Sequence, residues 1–307
     1  MTGQTYEARG LRADWLNAWL AAVGVTVLHR GVRLSWTDEA RPRALYSTPP
    51  GCVLAEELGR LMPSSEHLEG LAIARRHLPR RVTLPAYVDG CERVRASSRL
   101  DFSLGMSVTD LVELQPGAEL PHSPFDPPAP KGITLWERLV RCRQVLGEGD
   151  KLVSAVAGSL EGRGRRHAMN GLGFDVQRIP AAVHGDSDPY VDPVVECLAF
   201  FGLSLLPLRG DGRRELGRGW HPMRGRRGSA RFRWPAWEPS LDQWGIDAIL
   251  GEFHRRTVAL DEGAQPNPLA RERVLRRVGV RGCYEVVAYR KKAPNDVTKG
   301  MASRRVW

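Results

Sequence analysis

Proline supplies six of the 17 residues from Pro116 to Gly132 (PGAELPHSPFDPPAPKG). Proline lacks a backbone N–H and its ring fixes φ, so this stretch suits neither a helix nor a central strand. It reads as an extended connector, either a domain boundary or a long surface loop. It divides the 307 residues into an N-terminal α+β region over 1–115, the connector over 116–132 and a C-terminal α+β region over 133–307. That length suits one large domain or two modest ones, with ample surface to bury a core.

On either side, apolar spacing marks the elements. Trp15, Leu16, Trp19, Leu20 and Val23 form a helical stripe within 12–23, and Gly24 ends the pattern. Val25–Leu28 and Val32–Trp36 read as two strands of a hairpin turning at His29, Arg30 and Gly31. Helices are expected over 53–62 and 66–78, the second capped by Ser64 or Ser65. The segments 82–88 and 99–114 fit strand or helix equally. Thr134 and Glu137 form a capping box for a helix reaching Gly147, and Ser240 and Gln243 form another for a helix reaching His254. Lys151–Ala157 reads as a strand, and Val191–Leu203 as a buried helix. Phe232–Trp237 carries Pro235 like an edge strand. Arg271–Val278 looks helical and Cys283–Tyr289 extended. With no repeat and no regular βαβ alternation, the expected class is α+β: short helices with small antiparallel sheets.

The formal charge is +10, and it is polarised. Residues 201–307 hold 22 Lys+Arg against 11 Asp+Glu, while residues 1–200 hold 23 against 24. Genomic base composition would enrich arginine everywhere, so it does not explain the asymmetry. No run of 18 apolar residues is present, which excludes a membrane-spanning helix. The N-terminus lacks the pattern of a secretory signal. Cys52, Cys91, Cys142, Cys197 and Cys283 stand far apart with no CxxC, as expected for reduced thiols in a cytoplasmic protein.

Catalytic signatures are scarce in the sequence. There is no GxxxxGK[ST], GxSxG, HExxH or kinase set, and the glycines of Gly162–Gly173 do not follow a clear strand as GxGxxG. His184, Asp186 and Asp188 could hold a hard divalent cation, but Asp among Gly, Ser and Pro more often caps or turns. His122, Asp126, His221 and His254 fit structural roles better than catalytic ones. No cofactor and no enzymatic activity are expected.

The strongest local signal is Arg209–Arg233 (RGDGRRELGRGWHPMRGRRGSARFR), with nine arginines and six glycines against Asp211 and Glu215. Guanidinium groups neutralise phosphates and release counterions, while glycine lets the backbone approach. Arg213, Arg214, Arg218, Arg224, Arg226, Arg227, Arg231 and Arg233 are the candidate backbone contacts. Trp220 is the stacking or wedge candidate, with Phe232, Trp234 and Trp237 as further rings. A second cluster holds Arg290, Lys291, Lys292, Lys299, Arg304 and Arg305; Lys291, Lys292 and Asn295 are candidates for groove reading, and Lys299 is a further nucleic-acid-binding candidate. Arg163, Arg165 and Arg166 form a third, smaller group.

Two segments carry a family likeness. Pro193–Pro207 (PVVECLAFFGLSLLP), followed after the basic insert by Phe232–Trp237 and Pro239–Leu241, is similar to an E-x-L-A-x-x-G-L … P … W-x-x-P-L pattern. Trp15–Gly24 is similar to a W-L-x-A-x-G start. Together they resemble large-subunit-type or accessory proteins of type I-G (formerly I-U) CRISPR surveillance complexes. The resemblance implies a non-enzymatic subunit of an RNA-guided DNA-targeting complex. Its partners would be guide RNA, target DNA, other complex subunits and the helicase–nuclease, with no membrane. It would contact the DNA backbone, help read a short motif and help open the strands. The rival expectations are a metal-dependent nuclease of phage defence using His184, Asp186 and Asp188, and a structural ribonucleoprotein scaffold or adaptor without DNA contact.

Overall fold

The computed structural model describes residues 3–70, 82–83, 119–120, 135–169, 171, 190–206, 208–210, 215–222, 230–258, 268–290 and 298–307. It has the α+β class expected from the sequence. The chain opens with β1 (Gln4–Arg12), α1 (Leu16–Leu28), β2 (Arg33–Trp36) and β3 (Arg43–Thr48). The strands form a three-stranded antiparallel sheet in the order β1-β3-β2. On β3, Ala44, Tyr46 and Thr48 are buried while their neighbours are half-buried, the period of two that one covered face imposes.

All 13 residues of α1 are buried, so it is a core helix rather than an amphipathic surface one. This overturns two expectations. Val25–Leu28 is not a strand but the last turn of α1, and Gly24 does not end the helix. The Val-rich run followed strand propensity, but packing on every side overrides it. His29 closes the helix instead, its amide donating to the Val25 carbonyl at 2.8 Å.

Then come α2 (Leu54–Leu61) and α3 (Ser65–Gly70), the latter capped by Ser64, whose Oγ accepts from the His67 amide at 3.1 Å. β4 (Val82–Thr83) pairs with β5 (Glu119–Leu120). The rest of the 71–134 region, including most of the proline connector, lies outside the described residues. Next are α4 (Leu135–Gln144) and α5 (Asp150–Leu160). The strand expected over Lys151–Ala157 is therefore helix: Leu152, Val156, Ser159 and Leu160 are buried at helical spacing. β6 (His167–Ala168) pairs with β7 (Tyr190–Val191) ahead of α6 (Pro193–Gly202). Asp192 caps α6, accepting from the Val194 and Val195 amides, and Pro193 fills the first helical position. Every residue of α6 is buried.

The C-terminal part holds β8 (Leu208–Gly210) paired with β9 (Glu215–Gly217). It then holds β10 (Trp220–Pro222), β11 (Ala230–Trp237), α7 (Gln243–Val258), α8 (Pro268–Arg277), β12 (Val280–Arg290) and β13 (Thr298–Arg305). The last four strands form an antiparallel sheet in the order β10-β11-β12-β13. β11 is thus inner at its start, yet β10 reaches only to Phe232. At Pro235 the side that would need an N–H has no strand beside it, and the Pro235 carbonyl accepts instead from Trp19 Nε1 at 2.9 Å. Asp242, not Ser240, caps α7, with its Oδ1 accepting from the Gly245 amide at 2.9 Å; Ser240 Oγ lies against Ser47 Oγ at 3.1 Å.

One continuous core runs from Ala8 to Val286. Three buried indoles join its parts: Trp19 to Pro235, Trp234 to the Ala13 carbonyl at 2.7 Å, and Trp237 to the Leu34 carbonyl at 2.9 Å. Cys142, Cys197 and Cys283 are buried free thiols. Among the described residues no helix is long and apolar enough to cross a membrane.

Candidate nucleic-acid interface

The sheet register brings the two basic segments together. Residues 223–229 join β10 to β11, and residues 291–297 join β12 to β13. Because β11 and β12 run antiparallel with Arg231 opposite Val287, the start of β11 lies beside the end of β12. Arg290 in turn faces Thr298 on β13. Both connections therefore leave the sheet at the same end. Between 223–231 and 287–299 the sequence carries Arg224, Arg226, Arg227, Arg231, Arg290, Lys291, Lys292 and Lys299 against Asp296 alone. Strands sit about 4.8 Å apart, so the two connections start roughly 10 Å from one another. Duplex DNA presents a charge about every 1.7 Å along its axis, so several phosphates fall within that width. Side chains at 224, 226, 227, 291, 292 and 295 lie outside the described residues, as do Arg213 and Arg214, which fall between β8 and β9. Lys299 is the second residue of β13, at the same sheet end.

Other candidates turn inward. Arg218 is buried, paired with Asp247 of α7 and donating to the Leu205 carbonyl at 3.0 Å. It ties the β9–β10 turn to α7 and does not present its charge to a nucleic acid. Arg233 pairs with Glu285 at 3.0 Å, and Arg304 pairs with the same carboxylate from the next strand. The three stand in one cross-strand row, Arg233 opposite Glu285 opposite Arg304. Burial alone would raise the Glu285 pKa, but hydrogen bonds and charge from Arg304 and Arg233 outweigh it and hold it low.

The aromatic expectation needs correcting. Phe232, Trp234 and Trp237 are fully buried and offer no face to a base. Phe232 and Trp234 follow the inward period of β11 and Trp237 turns inward after a register shift at Ala236; Trp234 and Trp237 donate their indole N–H to the carbonyls of Ala13 and Leu34. Trp220 is half-buried with its ring 5.4 Å from Phe232. Arg231 is half-buried at the start of β11. The sequence could not separate core arginines from surface ones, because their partners Asp247 and Glu285 lie 29 and 52 residues away.

On β10, His221 is buried with its ring 6.0 Å from that of His254 on α7. The Gly219 amide donates to His254 Nδ1 at 3.0 Å, and burial, with Arg218 nearby, lowers the His254 pKa to about 4. A neutral imidazole accepting a backbone amide orders the turn before β10. Among the described residues no three His, Cys, Asp or Glu side chains gather as metal ligands, and His184, Asp186 and Asp188 lie outside them. Comparison with known proteins finds no matching family model, no matching curated protein and no matching solved structure.

Proposed function

We propose that the chain is a non-catalytic nucleic-acid-binding protein, acting as a subunit of an RNA-guided DNA-targeting complex. The observation that carries the binding reading is the departure of two arginine- and lysine-rich connections from one end of the β10–β13 sheet. The sheet fixes where the two connections begin and end, and phosphate contacts of this kind position a protein on a nucleic acid without reading its sequence. The assignment to a CRISPR-type complex rests on the Trp15–Gly24 and Pro193–Pro207 likeness. On that reading guide pairing supplies sequence, and this protein supplies phosphate contacts, short-motif reading and strand separation. Its further partners would be the other complex subunits and the helicase–nuclease.

The test is a salt titration of DNA binding. Replacing Arg224, Arg226, Arg227, Lys291 and Lys292 with Ala should weaken affinity. It should also flatten the log-affinity against log-salt slope by about 0.9 for each duplex phosphate no longer neutralised. An unchanged slope would overturn the assignment. Labelled DNA incubated with Mg²⁺ or Mn²⁺ should remain intact.

A further inference from the structure

Away from the basic hairpins, a cleft of about 420 Å³ opens where β1 meets the end of α5 and the N-terminus of α1. Three arginines line it: Arg9, Arg12 and Arg166. Two carboxylates also line it, and both are already engaged. Asp14 receives Nε and an Nη of Arg12 at 2.8 and 2.6 Å. Asp192 Oδ1 accepts from Ser159 Oγ at 2.9 Å and from the Val194 amide at 3.0 Å while capping α6. The Arg9 side chain is 72% exposed, and among the described residues its one ion pair is with Glu7, at 3.8 Å. Arg166 is exposed; its charge favours the Asp192 carboxylate, but it forms no ion pair among the described residues. Three arginines thus face two carboxylates among the residues that line the cleft.

Two further features agree. The 13-residue helix α1 points its N-terminus at this cleft through Trp15, and no side chain caps it there. Its first turn has no acidic residue, and among the described residues only the Leu16 amide finds a side chain, Ser303 Oγ at 3.4 Å. An open helix start favours an anion. The half-buried Trp15 side chain lines the cleft beside that helix start. The cleft walls are bare backbone at Gly10 and Gly164. A Cβ on Gly10 would strike the Ser159 carbonyl, and one on Gly164 the Asp192 carboxylate.

We propose that this cleft seats one nucleotide unit, its phosphate against Arg9 and Arg166 and its nucleoside beside Trp15. The volume lies at the small end of the ~300–1,000 Å³ range of ligand sites. That is room for a single unit and not for a duplex, whose major groove alone is about 12 Å wide. The source is either a free nucleoside monophosphate or an unpaired unit of a strand. The second case rests on the nucleic-acid reading above.

Calorimetric titration of the full chain with adenosine 5′-monophosphate, adenosine and inorganic phosphate tests it. The monophosphate should bind at least about tenfold more tightly than either of the others. Arg9→Ala with Arg166→Ala should remove that advantage and leave the melting temperature unchanged, since both side chains are exposed. Equal affinity for adenosine and its monophosphate, or for inorganic phosphate and the monophosphate, would overturn the assignment. Competition by an unphosphorylated five-nucleotide single strand assigns the strand as the source; monophosphate binding without competition assigns the free nucleotide. Substituting Arg224, Arg226 and Arg227 with Ala should leave the monophosphate affinity intact. A wild-type chain that binds the monophosphate but no DNA would refute the interface reading alone. One that binds DNA but no monophosphate would refute the cleft alone.

Discussion

Gly24 of α1 and Gly202 of α6 lie backbone against backbone where the two helices cross. A Cβ at Gly24 would run into the Leu198 carbonyl and come within 3.0 Å of the Gly202 nitrogen. One at Gly202 would run into the Leu20 carbonyl and come within 3.3 Å of the Gly24 nitrogen. Neither neighbour is a flexible side chain, so α1 and α6 would have to separate. Gly24→Ala and Gly202→Ala should each destabilise by about 2–3 kcal/mol or more in urea unfolding. Gly70→Ala, with open space around it, should be near neutral. Equal effects at all three positions would refute the crossing.

The indole of Trp237 fills the core and donates to Leu34, more than 200 residues earlier. Trp237→Ala should cost about 3–5 kcal/mol, whereas Trp237→Phe keeps most of the ring and loses mainly one buried hydrogen bond, about 1–2 kcal/mol. Residues 1–115 expressed alone should show no cooperative thermal transition, because α1 would lack α6 and the three indole ties. A sharp transition in that fragment would count against a shared core.

Acid should unfold the protein through two groups. His254 has a folded pKa near 4 against an ordinary 6.5, so the unfolded chain binds more protons between those values. Its contribution is complete above about pH 6.5 and declines as pH falls toward 4. Glu285, held low by its arginines, adds stability above the ordinary carboxylate range and loses it as pH falls further. Urea midpoints measured from pH 7 to pH 4.5 should fall, and His254→Asn should flatten that dependence. An unaltered pH profile in the variant would remove His254 from the account.

Arg218 should behave as a structural residue. Asp247→Asn leaves its buried guanidinium short of a partner and should destabilise by about 2 kcal/mol, less than a fully buried pair because Asp247 is 38% exposed on its side chain. The salt slope of DNA binding should stay unchanged in that variant, in contrast to the substitutions at Arg224, Arg226 and Arg227. A flattened slope would return Arg218 to the interface.

Much of the C-terminal architecture was legible because it rests on local signals. The apolar run Val191–Leu203 marked α6, and the aromatic residues around Pro235 marked β11. The same reasoning misread Val25–Leu28 and Lys151–Ala157, where a short apolar run fits both periods and only tertiary burial decides. It also read Gly24 as punctuation, since nothing local reveals that α6 approaches there. Charge marked both basic segments, but not that they share a sheet end; that follows from strand order. Nor could it tell Arg218 from Arg226, which differ only in their distant partners.

The α1–α6 crossing also sets a timetable. Asn17 on α1 meets Glu196 on α6 across 179 residues, with a 2.5 Å hydrogen bond inside the core. Ribosomes add about 5–20 residues per second, so α1 is made on the order of ten seconds or more before its partner exists. During that interval β1, β2 and α2 can cover part of α1, but the face that meets α6 has nothing of its own chain to cover it. Newly made protein should therefore depend on chaperones early in synthesis, and slowing translation before residue 202 should lower the yield of folded chains.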